Sequence, residues 1–188
     1  MIQKKNGLEA FDKNEVRRRA RARVEDGAVT DGYRADRERV VELLNEALAT
    51  ELVCVLRYRR HYYMAQGIHG ESIQREFLEH ANEEQEHAFS IAERITQLGG
   101  APDLNPRGLD ARADSEYVEG DTLVEMIRED LVAERIAIES YSRVIRYLGS
   151  DDPTTRRLLE SILAKEEEHA KDMNDLLARM EPEKTRRA

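Results

Sequence analysis

A single cysteine, Cys54, stands in the 188 residues. One thiol cannot build an internal disulfide, a paired-cysteine zinc site or a fused rubredoxin domain. A reducing cytoplasm is the natural compartment for such a chain. Tryptophan is absent, aromatic residues make up 5%, and there are only four prolines and ten glycines. That scarcity suits long helices better than sheet or disorder. No apolar run approaches the ~20 residues that a membrane span needs. The opening residues, MIQKKNGLEAFDKNE, lack the apolar centre of a signal peptide.

Charge is what the chain has in plenty. Asp and Glu number 39 against 30 Lys and Arg, for a net −9. Such a surface repels nucleic acid on average and suits a carboxylate-lined, cation-collecting interior. The charge is unevenly spread. Residues 1–34 hold nine Lys and Arg against six Asp and Glu, a net +3, which leaves −12 on the remainder. The most basic run is Arg17-Arg18-Arg19-Ala20-Arg21-Ala22-Arg23. Residues 1–34 are expected to form an N-terminal arm, with Leu8, Phe11, Val16, Ala20 and Val24 on one side of a short helix ending at Asp26-Gly27. The expected role is an amphipathic arm, docked on a neighbour or partly disordered. The sharper alternative is a DNA-binding tail whose arginines neutralise phosphates.

Residues 35–181 read as one helical domain, followed by a tail over 182–188. Helix A is expected from about Asp36 to Gln66, with inward stripe Leu44, Leu48, Glu51, Val55, Tyr58, Tyr62. Steps of four and three mark one buried helical face. Helix B is expected from Glu71 to Leu98, with stripe Phe77, Ala81, Glu84, Ala88, Ile91, Ile95, Leu98. Helix C follows Asp121-Thr122 and ends at Gly149, with stripe Leu123, Ile127, Leu131, Glu134, Ile138, Tyr141, Ile145, Leu148. Helix D starts at Pro153 and runs to about Met180, with stripe Leu159, Ile162, Glu166, His169, Met173, Leu176, Met180. Between B and C, Pro102, Pro106, Gly108 and Gly120 mark a long connection. A helix of about 28 residues spans ~42 Å. Twenty-one extended residues reach ~70 Å, enough to cross a bundle end to end.

Each stripe carries a Glu near its middle, where an unpaired carboxylate is costly unless it is protonated, paired or bound to metal. Helices B and D add a His one turn on, giving Glu84-Gln85-Glu86-His87 and Glu166-Glu167-Glu168-His169. Residues three apart share a helix face, so each Glu-x-x-His offers a carboxylate and an imidazole from one turn. Two such turns plus one Glu from each of two other helices make a di-metal carboxylate site in a four-helix bundle.

On these residues the chain resembles the bacterioferritin branch of the ferritin-like superfamily over roughly residues 38–180. The resemblance implies an all-α, antiparallel four-helix bundle with one long B–C crossover. It implies two iron ions per subunit, with Mn or Zn as substitutes. Glu84 and Glu166 would bridge them, Glu51 and His87 completing one position and Glu134 and His169 the other. The family's Tyr two turns after the first Glu is matched by Tyr58. The implied activity is ferroxidation, in which Fe(II) is oxidised by O2 or H2O2 and Fe(III) is stored in an oligomeric cage. Two departures matter. Haem-binding members have Met after the bridging Glu of helix B, whereas Gln85 stands here, so haem is not expected. Only 19 residues follow His169, too few for helix D and the fifth helix of 24-subunit cages. That favours the twelve-subunit shell of Dps-like mini-ferritins, although their His-x11-Asp pattern is missing. The alternatives are a DNA-binding protective mini-ferritin and a di-metal peroxidase or catalase.

Other residues are expected to have plainer roles. Tyr58 reads as a core tyrosine with a satisfied hydroxyl, the alternative being an electron donor or a hydrogen-bond partner of a ligand. His80, one turn before Glu84, reads as a surface residue at a helix edge, the alternative being a support for the ligands or an iron-entry ligand. His61 and His69 carry no functional case. Cys54 reads as a small buried hydrophobe, and Tyr141 and Met173 as packing.

Overall fold

The structure is a computed structural model in which residues 12–67 and 70–180 are described. Leu8, Phe11, His69 and the tail over 182–188 lie outside the described residues. Among the described residues the chain is all helical. Four long helices, α2 (Arg37–Met64), α3 (Gly70–Gln97), α5 (Leu123–Leu148) and α6 (Pro153–Met180), correspond to the expected A, B, C and D. Two short ones are α1 (Lys13–Arg21) and α4 (Leu109–Arg112). No described helix is long and apolar enough to cross a membrane.

The helix ends follow local chemistry. The Asp36 side chain caps α2 by accepting from the Arg39 N–H. Thr122 and Glu125 form a reciprocal capping box on α5. Gly120 precedes it with φ +60°, and a Cβ there would lie 2.8 Å from the Met126 nitrogen, so the turn needs glycine. Asp152, ahead of Pro153, accepts from the Thr155 N–H at 2.9 Å. The same carboxylate takes the Arg94 guanidinium at 3.1 Å and the Tyr33 hydroxyl at 2.9 Å. It thereby joins the start of α6, the end of α3 and the segment before α2.

The arm differs from its expected form. α1 ends at Arg21, five residues early, and buries none of its side chains. Ala22 leaves the α-helix in extended backbone, and Arg23 takes a left-handed φ of 49° ahead of a single 3-10 turn over Val24–Asp26. The Arg23 guanidinium pairs with Asp31 at 2.5 Å. Val16 and Val24 are exposed. The part that packs comes later, where Val29, Tyr33 and Ala35 rest on the bundle core.

The apolar interior falls into two clusters. One joins Leu44, Leu48, Ile91, Ile95, Leu148 and Leu159 with their neighbours. The other joins Tyr58, Ile73, Phe77, Ala81, Ile127 and Met173. Burying a Leu or Ile side chain contributes about 1.5–3 kcal/mol, so each cluster supplies substantial stability. Between them lies a polar layer.

The long crossover lies along α2 and is fastened to it by hydrogen bonds. Asn45 receives the Asp103 N–H at 2.7 Å, and Thr50 receives that of Asp114 at 2.9 Å. Arg57 Nη1 donates to the Ser115 hydroxyl and the Glu116 carbonyl, at 3.2 and 2.9 Å. Arg57 Nε donates to Asp130 of α5 at 2.9 Å. His61 sits between Asp130 Oδ2, 2.8 Å from Nδ1, and the Glu119 carbonyl, 2.9 Å from Nε2. Arg57, His61 and Asp130 are each at most 1% exposed. This corrects the reading of His61 as a residue without a role. Leaving one member of such a buried charged set unpaired costs about 3–5 kcal/mol.

Candidate metal centre

The polar layer holds all six residues picked out by the helical stripes. Glu51 (α2), Glu84 (α3), Glu134 (α5), Glu166 and His169 (α6) are each at most 1% exposed. His87 is slightly more open, with 13% of its side chain exposed. Their ligand atoms form two overlapping sets, each within 4.8 Å: Glu51, Glu84, His87, Glu166, and Glu84, Glu134, Glu166, His169. Glu84 and Glu166 belong to both.

One imidazole nitrogen serves each set. His87 Nδ1 lies 3.0 Å from Glu166 Oε1, 3.2 Å from Glu84 Oε2 and 3.4 Å from Glu51 Oε2. His169 Nδ1 lies 3.2 Å from Glu84 Oε1, 3.7 Å from Glu166 Oε2 and 3.9 Å from Glu134 Oε2. A single N–H cannot satisfy three carboxylates. Glu51 Oε2, Glu134 Oε2 and both oxygens of Glu166 are accordingly buried without a hydrogen-bond partner among the described residues. Unsatisfied buried carboxylate oxygens facing two imidazoles are what a hard or borderline divalent cation would complete. The residues therefore fit a metal pair.

Two tyrosines brace the layer crosswise. Tyr58 stands seven residues after Glu51 and donates its hydroxyl to Glu134. Tyr141 stands seven residues after Glu134 and donates to Glu51. The satisfied hydroxyl of Tyr58 agrees with expectation. Tyr141 is more than packing, because its hydroxyl holds a site carboxylate. His80 departs further from expectation. It is 2% exposed, stacks on His169 with ring centroids 4.0 Å apart, and places Nδ1 3.2 Å from the Tyr58 hydroxyl. It stands one turn before Glu84 on the buried face of α3, a register visible in the sequence. Glu83 was not anticipated at all. Its carboxylate lies 2.6 Å from His169 Nε2, so Nδ1 is turned to the centre. Cys54 is buried as expected.

Burial and neighbouring charges split the four carboxylates into two kinds. Burial and the Glu84 charge push the Glu51 carboxyl up to about 8. Burial and the charges of Glu84 and Glu166 push Glu134 well above the usual carboxylate range. Burial works the same way on Glu84 and Glu166, but the two imidazoles beside them outweigh it and hold both below their ordinary value. The imidazoles answer in kind. Burial disfavours their charge, yet the carboxylates raise His87 to about 12 and His169 to about 10. Burial and the His169 charge drive His80 down to about 3, leaving it neutral.

A family model described as a ferritin-like domain matches residues 41–182. The chain belongs to the ferritin-like family. Its four-helix architecture is shared with solved structures of that family. A Bacteroides fragilis protein described as a dodecameric thioferritin and bacterioferritin-related protein superposes with a TM-score of 0.74 at 33% identity, over 77% of this chain and 88% of its own. The nutrient stress-induced DNA-binding protein of a Synechococcus species is 33% identical over 143 residues, 74% of this chain and 81% of the relative. The bacterioferritin of Desulfovibrio desulfuricans is 31% identical over 140 residues, 73% of this chain and 74% of the relative. Its solved structure, described as having a diiron site in different catalytic states, superposes with a TM-score of 0.68 at 26% identity, over 77% of this chain and 81% of that one.

Proposed function

We propose that this ferritin-like chain binds two Fe(II) ions at the polar layer, oxidises them with O2 or H2O2 and stores the Fe(III) inside a cytoplasmic shell of its own copies. The observation that carries this reading is the pair of overlapping ligand sets whose shared members, Glu84 and Glu166, face unsatisfied buried oxygens. Glu84 and Glu166 would bridge the two ions. Glu51 and His87 would complete one position, and Glu134 and His169 the other. Four carboxylates offset the charge of two divalent ions, which makes a buried site tolerable. Bound iron supplies the one-electron changes and the open coordination positions that the oxidant needs. Mn or Zn suits the same donors. Glu83 keeps His169 Nδ1 turned inward. The Tyr58 and Tyr141 hydroxyls hold Glu134 and Glu51 in place. The diiron site named for the D. desulfuricans relative supports the metal, and the dodecameric B. fragilis relative supports a twelve-subunit shell.

The test is stopped-flow oxidation of Fe(II) by the metal-free assembled protein, with particle mass from light scattering. A fast phase consuming about two Fe(II) per chain is expected, since that fills both positions. Fe(II) loss no faster than in protein-free buffer would overturn the reading.

Haem is not expected in the assembly. The position after Glu84 is Gln85, whose Oε1 accepts from Arg59 Nη2 at 3.2 Å, while the same nitrogen donates to Asn82 at 3.1 Å. No thioether sulfur is offered there, and an amide oxygen is a harder, poorer haem ligand. Protein expressed with added haem precursor should show no Soret band in stoichiometric amount.

DNA binding is a second reading, favoured by the exposed arginines of α1 and the name of the Synechococcus relative. The excess negative charge on the rest of the chain opposes it. Gel shifts of intact and arm-deleted protein at physiological salt decide it. Weak or absent binding is the expected result.

A further inference from the structure

We propose that Glu76, His80 and Asp172 form a separate cation site between α3 and α6, from which Fe(II) passes to the di-metal centre. The proposal deepens the ferroxidase reading and rests on it for the destination of the ion.

Glu76 and His80 stand four apart on α3, so they share a face, and Asp172 meets them from α6. His80 Nε2 lies 3.7 Å from Glu76 Oε1 and 4.0 Å from Asp172 Oδ2. Ligand atoms of the three residues all lie within 4.8 Å of one another. These separations are too long for hydrogen bonds. They suit atoms around a common ion, since ligands bound at ~2.1 Å sit roughly 3–4.2 Å apart. One imidazole nitrogen and two carboxylates are a donor set for Fe(II), Co(II) or Zn(II). Burial and the charges of Asp172 and Glu79 push the Glu76 carboxyl up, and Arg179 works against them.

The placement gives the trio a direction. Glu76 and Asp172 are about one-third exposed, 35% and 36%, whereas His80 is buried. Solvent reaches the carboxylates first. His80 also belongs to an inner ligand set with Glu134 and His169. Its ring stacks on His169, and its Nδ1 faces the Tyr58 hydroxyl on the inner side. One imidazole is therefore common to an outer, solvent-facing set and an inner set that includes two residues of the di-metal centre.

Equilibrium dialysis of the assembled, metal-free protein against Co(II) tests the site directly. The wild type should bind about three ions per chain and the Glu76→Gln/Asp172→Asn variant about two, because one complete ligand set is lost. Both changes lie at the solvent edge and leave the six central residues intact. In stopped flow the variant should oxidise Fe(II) about fivefold more slowly at limiting Fe(II) and as fast as wild type at saturating Fe(II), because binding alone is weakened. A full Co(II) complement in the variant, or an unchanged rate at limiting Fe(II), overturns the proposal. A Glu84→Ala/Glu166→Ala variant that still binds the full complement would count against the di-metal reading, and not against this one.

Discussion

Filling the metal-free centre with two divalent cations at pH 7 is expected to release about four protons per chain. Without metal, Glu51 is pushed up to about 8 and Glu134 well above the carboxylate range, so both hold protons at neutrality. His87 at about 12 and His169 at about 10 are imidazolium ions. Glu84 and Glu166 are ionised. The metal-free layer thus balances two anions against two cations. The loaded layer would balance four carboxylates against two divalent ions with both imidazoles neutral. Charge is preserved only if protons leave as metal enters. An ordinary set of the same groups in water would release about one proton or less, because free Glu is already ionised and free His is largely neutral at pH 7. Calorimetric titration with Zn(II) in buffers of different ionisation enthalpy measures the number. A release of one proton or fewer would show that the carboxylates and imidazoles are not coupled as described.

The same groups set the sign of a stability profile. Glu51, Glu134, His87 and His169 all have folded values above their unfolded ones. Their stabilisation is complete below the unfolded value and is lost as pH rises through the folded value. His80, lowered to about 3, works oppositely, but only below its unfolded value of 6.5. Between pH 6.5 and 8 the metal-free protein should therefore lose stability as pH rises. Metal-loaded protein should not, because its ligands are already deprotonated.

Glu84→Ala or Glu166→Ala should lower the fast phase of Fe(II) oxidation by about a hundredfold or more, since each residue belongs to both ligand sets. Glu86→Ala and Glu168→Ala should stay within about twofold, because these side chains are exposed. The two pairs differ by only two positions in the chain, so the contrast reads the helical register as well as the chemistry. Equal losses in both pairs would mean that the activity follows overall acidity and not these carboxylates. Folding can be checked separately, because the metal-free variants should keep the helix content of wild type.

The four long helices and the inward placement of Glu51, Glu84, Glu134, Glu166 and His169, with His87 beside them, are legible because apolar residues at steps of three and four leave one Glu at the centre of each stripe. Gly99-Gly100, Gly149 and Pro153 marked the breaks. The polar supports were harder to see. Arg57, His61 and Asp130 are charged or titratable types that a hydrophobic stripe assigns to solvent, yet they are buried. On α5 the expected stripe ran through Leu131 and Ile138, which are only partly buried, while Asp130, Ala133 and Ala137 face fully inward. The buried face is turned by about one residue, and Asp130, one turn before Glu134, was the available sign. Tyr58 and Tyr141 each follow a site Glu by seven residues, a repeat present in the sequence. That each reaches the Glu of the other helix depends on which helices adjoin, which no single-helix pattern encodes. His80 shares the face of Glu84, so a role beside the site is visible as an alternative, but a lone histidine on a charged helix resembles surface, and only the packing of α6 against α3 buries it.

The polar layer also divides the molecule in a way that should show in its cooperativity. It interrupts the apolar interior between the Leu44–Leu159 cluster and the Tyr58–Met173 cluster. Without metal, the two clusters are joined by a layer in which several carboxylate oxygens have no partner. Opening one end then sacrifices little at the other, so amide exchange should resolve two protected blocks with different opening energies. Metal bound to ligands from all four long helices makes opening at either end cost the whole site. The blocks should then exchange as one, and the loaded centre would serve as the element that makes the bundle a single cooperative unit.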